Sequence, residues 1–335
     1  IAYQMHWPNR QWETARNVKK SVLHDRLAAV GACFGESAGW ERPNWYANPG
    51  QKAEYEYDFG RQNWFENNRQ EHLAVREAVG VFEQSSFAKL LVQGRDAERV
   101  LNRVATADVD VAVGKVVYTQ FLNKHGGIEA DLTITRLAED RYLVVTAAFT
   151  QTHVQAWIFE NTPTDAFCII TDVTGSYSML NVQGPNSRVL LSAISSANFS
   201  AEAFPFGTMQ PIEIGYQNAW AVRISYTGEL GFELYIPTEM VLPVYDRLVE
   251  AGAAYGLRHC GYHTLNSLRI EKAYREWGHD MGPLETLLQA GLGFTAAWDK
   301  PGGFIGRETL LEQSDAGPLK TRLVQFLLDD PEPIL

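Results

Sequence analysis

Cysteine is scarce. The 335 residues hold three, Cys33, Cys168 and Cys260, far apart in the chain. An odd, scattered set builds neither a disulfide framework nor a zinc ribbon, and it points to free thiols in a reducing compartment. Long hydrophobic runs are missing: no stretch approaches the ~20 apolar residues a membrane helix needs, so no membrane partner is expected. Positive charge is also short. With 29 basic and 40 acidic residues the net charge is −11, and the longest basic run is at Lys19-Lys20. Such a chain repels a phosphate backbone, so no nucleic-acid partner is expected. Neither G-x-G-x-x-G nor G-x-x-x-x-G-K-[ST] occurs, so no flavin, nicotinamide or ATP cradle is visible in this chain. It starts at Ile1 with no secretory signal pattern. It stops just after a strand-like run at 323–328 that has nothing beyond it to pair with. Both ends read as cut from a longer polypeptide.

What is present fits a folded protein of about two domains, with 45% hydrophobic and 21% charged residues. Residues 1–66 hold Trp7, Trp12, Trp40, Trp45 and Trp64 and are punctuated by Gly and Pro. One helix is expected there, near 21–30, and the rest reads as ordered loop with aromatic anchors. After Asn67 the pattern changes. A helix at 71–79 is stopped by Gly80, an apolar run at 87–92 ends at Gly94, and a helix follows at 96–104. Strands at 116–122 and 128–135 flank a turn, followed by a strand at 141–147 and a helix at 152–160. A comparable set comes next: strand 177–183, helix 186–194, strands 212–216, 219–225 and 232–236, and helices 240–254 and 264–274. The last places Glu271 and Arg275 at i,i+4. Leu90-Leu91-Val92-Gln93-Gly94 and Leu180-Asn181-Val182-Gln183-Gly184 share a theme, which suggests an internal repeat of two lobes. The fold class is α+β, with two mixed α/β lobes rather than a doubly wound parallel sheet.

Three constellations carry chemistry-bearing residues. His259 and His263 would share a helix face, but no further ligand follows at standard spacing and Gly261 interrupts the helix, so no metal is expected. Gly126-Gly127-Ile128-Glu129-Ala130-Asp131 places an acid early in a strand after a tight turn. If Leu132 and Ile134 face a core, Asp131 and Thr133 face the other way. Asp131 is then either a turn-associated surface residue or a buried carboxylate aimed at a ligand. Tyr226-Thr227-Gly228-Glu229-Leu230-Gly231-Phe232-Glu233 joins two strands through glycines that let backbone approach a ligand. Tyr226 offers a ring and a hydroxyl. Glu233 offers an acceptor for paired N–H donors, or is simply a surface acid of a hairpin.

Together these stretches resemble the folate-binding glycine-cleavage T-protein family. The match runs through Gly126-Gly127-Ile128-Glu129-Ala130-Asp131, Tyr226-Thr227-Gly228-Glu229-x-Gly231-x-Glu233, Leu180-Asn181-Val182-Gln183-Gly184-Pro185 and Phe304-Ile305-Gly306-Arg307-Glu308, in the family's order. His24-Asp25-Arg26-Leu27, Gly39-Trp40-Glu41-Arg42-Pro43-Asn44-Trp45 and Glu271-Lys272-x-Tyr274-Arg275-x-Trp277-Gly278-His279-Asp280 resemble the dimethylglycine and sarcosine dehydrogenase branch. Two departures stand out. Ala130 replaces the first Asp of the family's Asp-Asp pair. Leu265 stands where the T-protein pattern has an Arg thought to hold the folate tail, so tail recognition has no assigned residue.

The resemblance implies a division of the chain. Residues 1–66 would link a flavin domain to the folate domain, 67–312 would be a two-lobed aminomethyltransferase-like domain, and 313–335 would begin a C-terminal β-barrel. It implies tetrahydrofolate as cofactor, and FAD on a domain absent from this chain. The partners would be that flavin domain and a small methylated amine, in the cytoplasm or the mitochondrial matrix. The flavin half would oxidise an N-methyl amine, and the folate half would capture the one-carbon unit as 5,10-methylenetetrahydrofolate. Asp131 would be the catalytic acid–base near the folate nitrogens. Tyr226 and Glu233 would bind the pterin, Glu233 through two N–H bonds. The rival readings are a flavin-independent, folate-dependent demethylase and a non-catalytic regulatory relative.

Overall fold

The structure, a computed structural model, describes residues 10–58 and 60–330. Trp7 and Pro8 of the expected linker and residues 331–335 lie outside them. Helix α1 (His24–Ala29) leads into strands β1 (Ala32–Ser37) and β2 (Trp40–Tyr46), which form an antiparallel hairpin where loop was expected. Ala38 and Gly39 close it with φ of 52° and 82°. This is the handedness that two-residue hairpin turns favour. An alanine in the first turn position and Pro43 inside the second strand hide this hairpin from pattern reading.

Helix α2 (Phe65–Glu77) starts and ends earlier than the periodicity suggests, and β3 (Val79–Glu83) follows at once. Gly80 is therefore a strand residue and not a helix stop. A Cβ there would lie 2.5 Å from Val75 Cγ2 and 2.7 Å from Cys260 Sγ, so close packing explains the glycine.

The next elements are β4 (Ala88–Gln93), α3 (Ala97–Val104), β5 (Val116–Leu122), β6 (Ile128–Ala138), β7 (Arg141–Thr146), α4 (Gln151–Glu160) and β8 (Ile169–Asp172). A second run follows: β9 (Tyr177–Gln183), α5 (Ser187–Ile194), β10 (Met209–Ile214), β11 (Gln217–Val222), β12 (Gly231–Pro237), α6 (Val241–Gly252) and β13 (Leu257–His259), before α7 (Tyr262–Glu271) and α8 (Arg307–Asp315). The sheets have the orders β5-β6-β7-β4-β8 and β10-β11-β12-β9-β3-β13.

These orders show the internal repeat and a strand exchange within it. β3 immediately precedes β4 in sequence but pairs with β9, while β8 precedes β9 but pairs with β4. The exchange is sealed in the same way on both sides. Gly94 and Gly184, which end β4 and β9, both have φ of 132°. A Cβ on Gly94 would lie 2.4 Å from Phe167 O, just before β8; one on Gly184 would lie 2.5 Å from Ala78 O, just before β3. Only glycine allows both that backbone angle and that approach.

Each sheet buries one face under helices. Leu90, Val92, Leu132, Ile134 and Val144 pack on Val100, Leu101, Val154 and Ile158 of α3 and α4. Leu180, Val182, Leu234 and Ile236 pack on residues of α5 and α6 such as Leu190, Leu191, Val244 and Leu248. The other faces meet each other, with Leu143 and Val145 against Met179, Val222 and Tyr235. Strand alternation thus sends every second residue of β6 and β12 into the space between the sheets.

Two further expectations are corrected. Residues 323–328 form no strand: they run exposed, tied by Leu323 N–H to Gln289 O at 2.9 Å, because no described strand offers a ladder. Glu271 and Arg275 do not pair, because α7 ends at Glu271. Glu271 meets Arg76 (2.8 Å) and His72 (3.2 Å) instead, and Arg275 donates to the carbonyls of Ala273 and Ala290. Among the described residues, no helix is long and apolar enough to cross a membrane.

Candidate functional site

The β5–β6 hairpin places Asp131. Its register sets Gln120 opposite Asp131 and Tyr118 opposite Thr133, with a bulge between Phe121 and Leu122. Leu132 and Ile134 enter the helix-backed core, so Asp131 and Thr133 face the second sheet. Gln120 Nε2 donates to Asp131 Oδ1 at 2.8 Å, and Thr295 Oγ1 donates to Gln120 Oε1 at 2.5 Å, which fixes the amide orientation. Burial pushes the Asp131 carboxyl up to about 6, although Gln120, the Tyr118 phenol and the charge of Arg275 all favour its ionised form. Burial, and then the Asp131 charge, push the Tyr118 phenol up.

The rest of that motif is structural. A Cβ on Gly127 would lie 1.9 Å from Pro283 O. Ile128 N–H donates to Glu285 O at 3.1 Å, and Trp277 Nε1 donates to Ile128 O at 2.7 Å. Glu129 accepts from Asn123 and lies 3.1 Å from His153. The turn is thus the seat for the segment at 277–292.

Loop 225–231, between β11 and β12, carries Tyr226. Its anchor is Gln183, whose Oε1 accepts from Ser225 Oγ (3.0 Å) and Thr227 Oγ1 (3.1 Å). Arg76 clamps the loop from α2, donating to Thr227 O at 2.8 Å and Glu229 Oε1 at 2.7 Å. Gly231 leaves room for Gln183 and Gly228 for Lys272, whose side-chain atoms would lie 2.1 Å and 2.4 Å from an added Cβ. These glycines therefore admit the protein's own side chains, where a ligand's approach was expected. Tyr226 Oη donates to Arg275 O at 2.8 Å, and its ring stacks on Tyr274 with centroids 6.0 Å apart.

Glu233 sits on β12 opposite Asn181 of β9 and Val222 of β11. It is half-buried and faces the inter-sheet space, because its neighbours Phe232 and Leu234 enter the helix-backed core. Tyr235 Oη donates to Glu233 Oε2 at 2.9 Å. Burial pushes Glu233 up to about 7, opposed by Tyr235 and by the charge of Lys89. Lys89 is itself fully buried and donates to the carbonyls of Ser85 (3.0 Å) and Phe87 (2.7 Å); burial lowers it to about 8.

The structure therefore gathers Asp131, Tyr118, Tyr226 and Arg275 into one electrostatic group. Glu233 shares the inter-sheet face but keeps its own partners, Tyr235 and Lys89. Tyr118, Gln120, Gln183 and Lys89 were not legible as site residues. The Phe121/Leu122 bulge shifts the hairpin register by one, so counting back from the turn misplaces Gln120. A groove of about 700 Å³ lies between Tyr177, Trp220 and Pro237, and none of Asp131, Tyr226 or Glu233 lines it. His259 and His263 are separated: His259 Nε2 lies 2.7 Å from Tyr245 Oη, and His263 Nε2 lies 2.9 Å from Tyr55 Oη. Burial lowers both to about 4, so both are neutral near pH 7.

Comparison with known proteins decides the family. A model described as the GCVT N-terminal domain matches residues 23–300. The chain belongs to this family. Over 334 residues, 99% of the chain, it is 48% identical to 4-methylaminobutanoate oxidase (formaldehyde-forming) of Paenarthrobacter nicotinovorans, covering 40% of that protein. It is 37% identical to the mitochondrial pyruvate dehydrogenase phosphatase regulatory subunit of Mus musculus, over 98% of this chain and 38% of that one. It is 34% identical to the mitochondrial sarcosine dehydrogenase of Homo sapiens, over 99% and 40%. The chain thus spans about two fifths of the length of these relatives. Its GCVT domain also matches the crystal structure of glycine cleavage system aminomethyltransferase T from Bartonella henselae. That match has a TM-score of 0.74 and 25% identity, over 90% of this chain and 76% of that one. The fold is a mixed α/β fold similar to that of the T-protein.

Proposed function

We propose that this chain is the tetrahydrofolate-binding half of an FAD-dependent N-methyl amine dehydrogenase or oxidase. The observation that carries the reading is Asp131: a half-buried carboxylate on the inter-sheet face, held by Gln120 and Tyr118 and titrating at about 6. The donor set suits a reduced pterin. Among the described residues nothing bonds the second oxygen of Glu233, so it is free to accept the ring's N–H groups. Bound tetrahydrofolate supplies the nucleophilic nitrogen that takes up the one-carbon unit as 5,10-methylenetetrahydrofolate.

The chain's own residues orient and buffer that chemistry. Tyr226, braced by Tyr274 and by the loop clamp of Arg76, presents a ring for stacking. Asp131 stabilises positive charge at the reacting nitrogens and, at about 6, both takes up and returns a proton near neutrality. Positioning of this kind is worth several kcal/mol. In this reading residues 1–66 link to a flavin domain, 67–312 hold the folate, and 313–335 begin a barrel. FAD lies on the flavin domain, the substrate is a small methylated amine, and three unpaired thiols suit the cytoplasm or the mitochondrial matrix.

The test is an anaerobic calorimetric titration of the chain with tetrahydrofolate, repeated on Glu233→Ala. Saturable binding that the substitution abolishes supports the folate reading; no binding by the folded chain overturns it. A second reading draws on the name of one relative, a formaldehyde-forming oxidase. The one-carbon unit then leaves as formaldehyde, and trapping it during turnover of the full-length enzyme with and without tetrahydrofolate separates the two. The regulatory relative supports a third reading, which binding without one-carbon transfer would favour.

A further inference from the structure

Next to Glu233 lies a donor that no described residue bonds. Asn181 is 1% exposed, and among the described residues its buried Nδ2 has no hydrogen-bond partner. Its orientation is fixed, because Asn181 Oδ1 accepts from Gln183 Nε2 at 2.5 Å. Gln183 cannot turn its own amide around, since its Oε1 accepts from Ser225 and Thr227 and its Nε2 also donates to Ile224 O. Buried side-chain donors are nearly always satisfied, so an orphan held in place by a four-residue network needs an explanation.

Asn181 and Glu233 are directly opposed on β9 and β12. Opposed residues on one face of an antiparallel pair stand about 5 Å apart at Cβ. Their flanking residues, Leu180, Val182, Phe232 and Leu234, all enter the helix-backed core, so both polar side chains face the inter-sheet space. One offers a free donor and the other a free acceptor. That pairing is complementary to the edge of a lactam ring, in which an N–H and a C=O are adjacent.

We propose that Asn181 and Glu233 together read the pyrimidinone edge of the pterin, Glu233 accepting from the ring N3–H and 2-amino group and Asn181 Nδ2 donating to the 4-oxo oxygen. This rests on the folate reading of Glu233 and adds a specificity determinant to it. Asn181 is a binding residue with no part in the chemical step. It adds to a preference for 4-oxo over 4-amino pterins, because a 4-amino group would present a donor to a donor, while Glu233 loses the N3–H that only the 4-oxo ring carries.

The experiment is anaerobic calorimetry of the wild-type chain, Asn181→Asp and Asn181→Leu with two probes, tetrahydrofolate and its 4-amino analogue tetrahydroaminopterin. Asn181→Asp keeps the acceptor for Gln183 and replaces the donor with a carboxyl oxygen, at the cost of a second acid opposite Glu233. Wild type is expected to prefer tetrahydrofolate. Asn181→Leu should weaken tetrahydrofolate about tenfold, the worth of one hydrogen bond, and leave the analogue nearly unchanged. Asn181→Asp should narrow the preference. Thermal melting of both variants checks that they fold, and either one suffices. A variant that binds both probes in the wild-type ratio overturns this proposal alone. A folded wild-type chain that binds neither probe overturns the folate reading and this proposal with it.

Discussion

The two lobes share a plan and differ in what they place on their facing surfaces. Both have a four-strand core arrangement with a long strand ending in a glycine at φ 132°, and each borrows a short strand from the other. On the first, Asp131 is held by Gln120 and Tyr118, with the charge of Arg275 nearby, and titrates at about 6. On the second, Glu233 accepts from Tyr235, its one hydrogen-bond partner among the described residues, lies in the field of Lys89, and titrates at about 7. Burial raises both carboxyls, and different partners oppose the rise on the two lobes. The repeat thus conserves backbone geometry while its site side chains diverge. Under the proposed function Asp131 handles the proton and Glu233 binds the ring.

The largest expected effect tests that division of labour. Asp131→Asn should cut one-carbon transfer by about a hundredfold or more, the usual worth of a general acid–base, while calorimetry shows tetrahydrofolate binding retained. Equal loss of binding and transfer would collapse the distinction between the two acids. Next comes the shared architecture. Gly94→Ala and Gly184→Ala should each destabilise the chain by about 3 kcal/mol in denaturant unfolding, since both meet a forbidden φ and a carbonyl closer than 2.6 Å. A large cost at one glycine and none at the other would break the symmetry.

A smaller effect concerns pH. Both carboxyls are raised in the folded chain, so between about 4 and 7 the native state holds protons that the unfolded chain has released. Stability of the unliganded chain therefore falls as pH rises through that window. The double variant Asp131→Asn, Glu233→Gln should flatten this decline and gain of order 1–2 kcal/mol over wild type at pH 8 by thermal melting. A steeper decline would reverse the sign assigned to both groups. The smallest effect is at the loop clamp. Arg76→Lys keeps the charge but loses the fork whose Nη1 reaches Thr227 O and Glu229 while its Nη2 holds Glu271. It should cost about 1 kcal/mol and weaken tetrahydrofolate binding with no change at Asp131.

Legibility followed locality. Strands 116–122 and 177–183 appear in the structure with the bounds that alternation and turn residues indicate. That Asp131 faces away from Leu132 and Ile134 follows from alternation, but that a second sheet covers that face does not. The hairpin of β1 and β2 escaped because its turn lacks the usual Asn-Gly and its second strand contains Pro43. The partners of the site acids escaped for a different reason. Gln120 depends on a bulge, Lys89 on a strand of the facing sheet, and Asn181 on a ladder between segments about fifty residues apart in sequence.

The sequence by itself determined the periodicities, suggested the two-lobe repeat and singled out three residues as site candidates, because these rest on neighbours in the chain and on short motifs. Only the tertiary structure decided which lobe each of β3 and β8 completes, that Glu229 and the motif glycines serve packing, and that Asp131 and Glu233 lie half-buried with raised affinity for protons. Those outcomes depend on burial and on pairing between distant segments, and desolvation of a carboxylate exists only once the surrounding chain has closed over it.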